Sequence, residues 1–236
     1  MRNYIFIIVL WWCIACQQEK LKPIALSSDS IQAPAHVADY PSTADNILAK
    51  LKAGNANFVN RFSFVHVHSD SSYNYYDQIV QSGNEQHPIA CVLTCMDSRV
   101  PPEIIFDQGI GNLFVLRVAG NIQDDDILGS IEYAVAEKGV QLIIVMGHTN
   151  CGAIAAAFGN VDSSAKELYE LITHVKRAIV PNDKPPYDAT AKNNVELTMA
   201  DILQHSPAVK RKFDDNELLL TGALYNVSNG KVTWLQ

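Results

Sequence analysis

The sequence contains no basic run longer than three residues, and its formal net charge is −7 over 236 residues. Nonspecific nucleic-acid binding depends on clustered Lys and Arg side chains that neutralise phosphates, so we expect no nucleic-acid partner. The sequence also lacks an internal repeat and an apolar run of the roughly 20 residues that a helix needs to cross a bilayer. Its hydrophobic content of 48% and charged content of 18% exclude disorder of the whole chain and are typical of a globular protein.

Cysteine is scarce, with five residues in the chain. Two of them, Cys13 and Cys16, lie in the N-terminal segment, which leaves Cys91, Cys95 and Cys151. An odd number argues against a disulfide framework, and these three lack the CxxC spacing of thiol redox proteins. A single Cys95–Cys151 bridge remains an alternative to metal binding. Cys91, on a strand, is expected to be a small core residue.

The N-terminal residues have the pattern of an export signal. Arg2 supplies a positive charge, and residues 5–14 form an apolar segment of roughly ten residues, as in a signal peptide. The following CIAC segment resembles the lipobox of bacterial lipoproteins, although Cys13 stands where Leu is usual. We therefore predict a lipoprotein signal peptide over residues 1–15 and lipidation of Cys16. The protein would be exported and anchored on the periplasmic or cell-surface side of a membrane, with an uncleaved anchor as the alternative.

Beyond this segment, residues 16–41 are rich in Ser, Ala, Pro and Asp and predict a flexible tether. Residues 42–236 form the predicted globular domain. ADNILAKLKAGNANFV predicts a helix capped by Ser42 or Thr43. The runs PIACVLTC, NLFVLRVA and VQLIIVMG predict buried strands, and helical segments between and after them predict an α/β domain with a mainly parallel central sheet flanked by helices. NELLLTGALYNV and KVTWLQ predict a strand, a turn and a short last strand that can be antiparallel.

Two of these strands end in residues that can bind a metal. The segments TCMDSRVPPE and GHTNCGA supply four side chains that can bind a metal, namely Cys95, Asp97, His148 and Cys151. They also supply one neighbouring cation, Arg99. Since parallel sheets bind ligands beyond the carboxyl ends of their strands, we expect these residues to meet at one sheet edge. Thiolates and imidazole suit zinc. Arg99 can pair with Asp97 and keep it off the metal, which would leave three protein ligands and an open position, as in a catalytic site.

A second pair of histidines, His66 and His68, could share a strand face and bind metal. No further ligand lies nearby in the sequence, so two partly exposed histidines without a metal are the simpler interpretation.

With these motifs the chain resembles the β-class carbonic anhydrases. The resemblance covers residues 42–236 and rests on CxDxR followed by HxxC, together with GNANF, FDQGIGNLFVLRVAGN, NNV…HSP and GALYNVSNGKV. It implies that Cys95, His148 and Cys151 bind Zn2+ and that Asp97 and Arg99 form a catalytic dyad beside the metal. The implied reaction is the reversible hydration of carbon dioxide to bicarbonate and a proton, and the implied assembly is a homodimer or larger homo-oligomer, with the helix over residues 46–58 packing across to the partner.

The resemblance also bears on regulation and substrate binding. In some members the aspartate leaves its arginine and closes the site as a fourth zinc ligand, helped by a tryptophan that is Val92 here, so the open form is favoured. Gln108 matches a residue that, in constitutively open members, reaches the substrate from the partner subunit, and the alternative is a capping or turn residue before Gly109. Gly152 could present its N–H to an anion or serve close packing, and Tyr225 matches the family but can be an ordinary buried tyrosine. The rival function is a non-catalytic, zinc-stabilised bicarbonate-binding module with Asp97 as a permanent fourth ligand.

Overall fold

A five-stranded sheet lies at the centre of the protein. The computed structural model describes residues 43–60 and 75–235, so the predicted signal peptide, lipidation site and tether lie outside the described residues. The strands are β1 (Ala90–Thr94), β2 (Leu113–Arg117), β3 (Leu142–His148), β4 (Leu219–Tyr225) and β5 (Val232–Leu235). Their order is β2-β1-β3-β4-β5, all parallel except β5, which is antiparallel to β4. The predicted sheet is confirmed, including its antiparallel last strand.

Eight helices surround the sheet in the described part of the chain. They are α1 (Ala44–Val59), α2 (Tyr75–Ser82), α3 (Pro102–Ile105), α4 (Asp125–Ala136), α5 (Gly152–Ala157), α6 (Lys166–Lys176), α7 (Asp188–His205) and α8 (Pro207–Asp214). The sequence pattern did not predict α2, α3 or α8, and the helical segment NVELTMADILQH, which begins at Asn194, predicted α7 without its first six residues. Among the described residues, no helix combines the length and the apolar character that spanning a membrane requires.

The strands that carry the candidate site are buried on both faces. Every residue of β1 and of β3 is buried, as expected for inner strands of a parallel sheet that is covered by helices on both sides. Alternate residues of β1 face opposite cores: Cys91 and Leu93 lie in one apolar cluster, and Ala90 and Val92 lie in the other. The prediction that Cys91 is a core residue is therefore confirmed.

Helix α1 is fixed at its start by a cap and at its end by close contacts with its own chain. The Thr43 hydroxyl accepts a hydrogen bond from the backbone N–H of Asn46 at 3.3 Å, which confirms Thr43 as the N-cap. A Cβ on Gly54 would lie only 1.9 Å from the carbonyl oxygen of Phe106. The Asn55 amide donates to the carbonyl oxygen of Ile105 at 3.2 Å. This face of α1 is thus covered by its own domain.

Helix α7 packs directly on the end of β3 that leads to the site. A Cβ on Gly147 would lie 2.7 Å from Cγ2 of Val195, and a Cβ on Gly222 of β4 would lie 2.9 Å from Cγ1 of the same residue. The two glycines allow the helix to approach both strands closely, because any side chain there would push it away. This contact fixes the backbone immediately before His148.

An ion pair between α7 and the residue that follows α6 predicts a measurable acid sensitivity. Arg177 donates to both carboxylate oxygens of Asp201, at 2.8 and 2.9 Å, and Asp201 is 5% exposed. Burial of Asp201 opposes ionisation, but the hydrogen bonds and charge of Arg177 outweigh it and lower the pKa of Asp201. The resulting stability is present above the pKa of about 3.9 of an unfolded Asp and is lost as the pH falls.

Replacing Asp201 by Asn should therefore lower the free energy of unfolding at pH 7 by about 1–3 kcal/mol, with a smaller difference at pH 3. Urea unfolding at the two pH values measures this. The matched control is Asp214→Asn, which breaks the exposed Lys210–Asp214 pair of 2.8 Å and should change stability little. An equal loss in the Asp201 variant at both pH values would contradict the prediction.

Candidate metal centre

Three potential metal ligands meet at the carboxyl ends of two adjacent strands. Cys95 directly follows β1, His148 is the last residue of β3, and Cys151 is the N-cap of α5. The two strands pair in parallel with Thr94 opposite Met146, and the Thr94 hydroxyl donates to the Met146 carbonyl at 2.8 Å. The expectation that the two sequence segments meet at one sheet edge is thereby confirmed.

The spacing of these ligand atoms suits a single ion. The two sulfurs and one imidazole nitrogen all lie within 4.8 Å of one another, and the three residues are buried. The Sγ atoms of Cys95 and Cys151 are 4.0 Å apart. A disulfide needs about 2.05 Å, whereas two sulfurs on one tetrahedral zinc at bonds of about 2.3 Å lie about 3.8 Å apart. Both cysteines are free, so the arrangement matches metal binding and not the alternative disulfide.

The imidazole of His148 presents a bare nitrogen to this space. Its Nδ1 lies 3.0 Å from the carbonyl oxygen of Thr149, an acceptor, so Nδ1 carries the proton and Nε2 has a free lone pair. Within the described part of the chain, Nε2 is buried and has no hydrogen-bond partner. A buried polar atom normally has a partner. A metal ion between Nε2 and the two sulfurs would supply it, and the carbonyl on Nδ1 is the usual support of a histidine ligand.

The thiols of Cys95 and Cys151 are close enough to change each other's pKa. A hydrogen bond between the two thiols, in which either sulfur can be the donor, lowers the pKa of Cys95, although burial acts in the opposite direction. The same hydrogen bond, together with burial, raises the pKa of Cys151. One of the two sulfurs therefore ionises more readily than an isolated buried thiol would. A cation between the sulfurs would favour ionisation of both.

Asp97 is turned away from this group by Arg99. The Arg99 side chain donates from Nε to Oδ1 at 2.9 Å and from Nη2 to Oδ2 at 2.7 Å, and the Arg99 backbone N–H donates to Oδ1 at 2.9 Å. These bonds lower the pKa of Asp97 well below its ordinary value. Oδ2 nevertheless remains 3.9 Å from Nε2 of His148. The carboxylate is thus ionised, held by the guanidinium and adjacent to the candidate metal position.

Three further groups hold the ligand loop, and the sequence patterns did not reveal them. Arg117, at the end of β2, donates to the carbonyl oxygens of both Cys95 and Asp97. The backbone N–H of Gly120 donates to Cys95 Sγ at 3.4 Å. Asn194 of α7 in turn donates to the Gly120 carbonyl at 2.7 Å. Their segments contributed to the family resemblance, but nothing in the local spacing indicates these roles.

Comparison with known proteins identifies the family of this chain. A family model described as carbonic anhydrase matches residues 90–232, which is more than half of the chain. The chain belongs to the carbonic anhydrase family. The carbonic anhydrase of Mycolicibacterium smegmatis is 34% identical over 188 residues, 77% of this chain and 88% of the relative. Carbonic anhydrase 2 of Mycobacterium tuberculosis is 34% identical over 152 residues, 62% of this chain and 73% of the relative.

Solved structures place the chain in the β class. The Coccomyxa β-carbonic anhydrase, solved with acetazolamide, is 26% identical with a TM-score of 0.61 and covers 80% of this chain and 86% of its own. The β-carbonic anhydrase CcaA is 25% identical with a TM-score of 0.60 and covers 80% of this chain and 95% of its own. Zinc is the cofactor of β-class carbonic anhydrases, and the Cys95, His148 and Cys151 side chains form a group that could hold it.

The other predicted site residues of this carbonic anhydrase have distinct surroundings. Gln108 is 4% exposed, and its amide donates to the carbonyls of Phe106 and Asp107 at 2.8 and 3.0 Å, as a turn residue does. Its contact with a partner's substrate stays a prediction. Gly152 begins α5, and a Cβ there would meet no atom within 4 Å, so close packing does not explain this glycine. The pair His66 and His68 lies outside the described residues.

Proposed function

We propose that this protein catalyses the zinc-dependent reversible hydration of carbon dioxide to bicarbonate and a proton. Cys95, His148 and Cys151 are the proposed zinc ligands, with Asp97 and Arg99 as the catalytic dyad. The observation that carries the proposal is the buried Nε2 of His148, which has no hydrogen-bond partner and faces two free sulfurs 4.0 Å apart. The paired carboxylate beside this group distinguishes a catalytic site from a structural one, because it leaves a fourth position open.

When bound, zinc acts as a Lewis acid that makes hydroxide available near neutral pH. Asp97 accepts a hydrogen bond from the attacking oxygen and thereby aims a lone pair of that oxygen at the carbon of CO2. Arg99 fixes the carboxylate through three hydrogen bonds, so that the acceptor does not have to be ordered during the reaction. The contribution of the dyad is positioning, because an Asp with a strongly lowered pKa is a weak base.

An apolar environment at the site suits a nonpolar substrate. Cys95 and Cys151 belong to a buried cluster with Ile122 and Ile154, and Leu224 packs against it. Carbon dioxide is favoured next to such a surface, whereas the bicarbonate product is charged and prefers water. Gly152 lies beside Cys151 and leaves open space where a side chain would be. We place the backbone N–H of Gly152 near the bound substrate.

The alternative of a bicarbonate-binding module finds no support in this geometry. A permanent fourth ligand would need Asp97 to turn an oxygen to the metal, yet Arg99 binds both of its carboxylate oxygens. Measuring zinc content and CO2 hydration on one sample separates the possibilities. We expect about one zinc per chain and a hydration activity that chelation removes and zinc restores. Stoichiometric zinc without hydration would favour the binding module, and a zinc-free disulfide form would favour a redox protein.

Hydration should become faster as the pH rises. The thiolates of Cys95 and Cys151 cancel the formal charge of zinc, which three neutral imidazoles would leave at +2. Water activation is then weaker, and the rate should increase between about pH 7 and 9. Stopped-flow hydration measured across this range tests the prediction. A rate that is already constant from pH 6 upward would contradict it.

We infer from the N-terminal sequence that the protein is exported and anchored through Cys16. On this proposal residues 1–15 are a signal peptide, residues 16–41 are a tether, and residues 42–236 form the catalytic domain. Acyl chains contribute about 0.8 kcal/mol per buried CH2 group, so several chains hold a soluble domain on a membrane. The domain would then lie on the periplasmic or cell-surface side and act on CO2 and bicarbonate there.

Changing Cys16 to Ser should abolish the mass increase of acylation. The variant should either move from the membrane fraction to the soluble fraction or keep its signal peptide uncleaved. Mass spectrometry of the mature N-terminus measures this. The matched control is Cys13→Ser, which should leave the lipid in place. A wild-type protein whose mature N-terminus is a residue other than Cys16 would contradict the lipobox interpretation.

The proposed assembly is a homodimer or a larger homo-oligomer. Met96, Ile104 and Ile110 are 64%, 36% and 42% exposed in the single chain, and such apolar side chains are suited to a subunit interface. Light scattering at several concentrations tests this expectation, since a monomer throughout would contradict it.

A further inference from the structure

The sulfur of Cys95 is connected to helix α7 through one residue. The backbone N–H of Gly120 donates to Cys95 Sγ at 3.4 Å, and the carbonyl of Gly120 accepts from Nδ2 of Asn194 at 2.7 Å. Both hydrogen bonds are buried, and Asn194 is 3% exposed. We propose that Asn194 is a positioning residue of the metal centre, which aims the Gly120 N–H at the Cys95 sulfur. This inference rests on the proposed zinc ligation by Cys95.

The turn that carries the N–H donor has few internal restraints. Gly120 has φ 71° and ψ 14° and is followed by Asn121 with φ 45°, so two successive residues adopt the left-handed region. A side chain at position 120 would lie 2.9 Å from Cγ2 of Val175, which requires glycine there. Glycine restricts backbone rotation less than any other residue. Within the turn, one hydrogen bond of 3.0 Å joins the backbone N–H of Asn121 to the carbonyl of Val118.

Helix α7 supplies the rigidity that the turn lacks. The helix is 18 residues long, and Val195, the residue after Asn194, packs against β3 and β4 through the contacts at Gly147 and Gly222. The amide of Asn194 is therefore held in place by the core. Because this amide donates a hydrogen bond to the carbonyl of Gly120, it restricts the backbone rotation that would turn the N–H of Gly120 away from the Cys95 sulfur.

The N–H···S contact affects what Cys95 offers to a metal. A hydrogen bond to a thiolate draws charge from the sulfur and fixes the direction of its lone pairs. Partners of this kind, outside the ligands themselves, typically change metal affinity by about 10–100-fold when they are lost. The donor here is a backbone N–H that only proline would remove, and the φ of 71° at Gly120 does not fit proline, so Asn194 is the side chain through which the contact can be tested.

The test compares Asn194→Leu with Asn193→Leu. Asn193 is the adjacent residue of the same helix, and its amide makes the same kind of bond, to the carbonyl of Ala178 at 2.8 Å, with no link to the metal ligands. Zinc affinity is measured by chelator competition, and the thiolate-to-cobalt absorption band is measured after cobalt substitution. Asn194→Leu should bind zinc about 10-fold or more weakly and show a shifted band. Asn193→Leu should keep the wild-type affinity and spectrum, even where it lowers the melting temperature.

Two results would overturn the inference while leaving the proposed zinc ligation in place. One is a wild-type affinity and spectrum for Asn194→Leu, and the other is an equal change in both variants, which would indicate general destabilisation. If Asn194→Leu does not fold, Asn194→Ser is measured instead, because Ser is too short to reach the carbonyl and the same outcomes apply. A wild-type protein without a thiolate-to-cobalt band would reject zinc ligation by Cys95 itself, and the role of Asn194 with it.

Discussion

Replacing Arg99 by Ala should leave zinc bound and reduce CO2 hydration by about 100-fold or more. The three proposed ligands are untouched by this change, so the metal content should stay near one per chain. Asp97 loses both side-chain hydrogen bonds that now hold its carboxylate. Its Oδ2 already lies 3.9 Å from Nε2 of His148, so the freed carboxylate can turn to the open metal position. An oxygen ligand at about 2.0–2.2 Å would occupy the place that the reaction needs.

The matched control for this variant is Arg177→Ala. Arg177 makes the same two-pronged contact with Asp201, at 2.8 and 2.9 Å, at a place that involves none of the proposed ligands. Its loss should lower stability and leave turnover per zinc unchanged. Adding Asp97→Asn to Arg99→Ala should not restore normal hydration, since the hydrogen-bond acceptor is then missing. Near-wild-type hydration by Arg99→Ala alone at neutral pH would show that Arg99 does not control Asp97.

Cys151→Ala should lose both zinc and activity. A zinc centre with only two remaining protein ligands holds the metal too weakly to survive purification, because each thiolate supplies a strong bond and cancels charge. Zinc measured by elemental analysis should fall from about one per chain to near zero, and hydration should fall to the level of the chelated wild type. The buried Nε2 of His148 and the Cys95 sulfur would remain without a shared partner.

Cys91→Ala is the control, because it removes another buried cysteine from the same sheet. Cys91 is fully buried in the apolar core, and burial raises the pKa of its thiol to about 12, so it remains protonated. The substitution should cost about 1 kcal/mol of stability and leave the zinc content unchanged. Full zinc occupancy in Cys151→Ala would refute the ligand assignment.

The meeting of the proposed ligands at one sheet edge could be predicted from the sequence because its information is local. Cys95 and His148 end apolar runs, and the end of a buried parallel strand has a known place in an α/β sheet. The prediction that Arg99 pairs with Asp97 also needed only a spacing of two residues. The parallel sheet and the possibility of an antiparallel last strand followed in the same way from periodicity, whereas side-chain chemistry left Ser42 and Thr43 both open as the cap of α1.

The groups that support the ligands could not be predicted in this way. Gly120 lies 25 residues after Cys95, and Asn194 lies 74 residues after Gly120, so their contacts depend on how α7 packs on the sheet. Short helices were missed because a segment of four to eight residues is too short to show a helical pattern of apolar positions. Helices α3 and α8, of 4 and 8 residues, each begin with Pro102 or Pro207 at the first turn, where proline is favoured.

The most direct test of the zinc site is anomalous diffraction at the zinc absorption edge from crystals grown at neutral pH. We predict one peak about 2.0–2.3 Å from the Sγ atoms of Cys95 and Cys151 and from Nε2 of His148, with Asp97 still paired to Arg99. No peak at this position, or a peak with Asp97 bound as the fourth ligand at neutral pH, would contradict the open catalytic centre proposed for this protein.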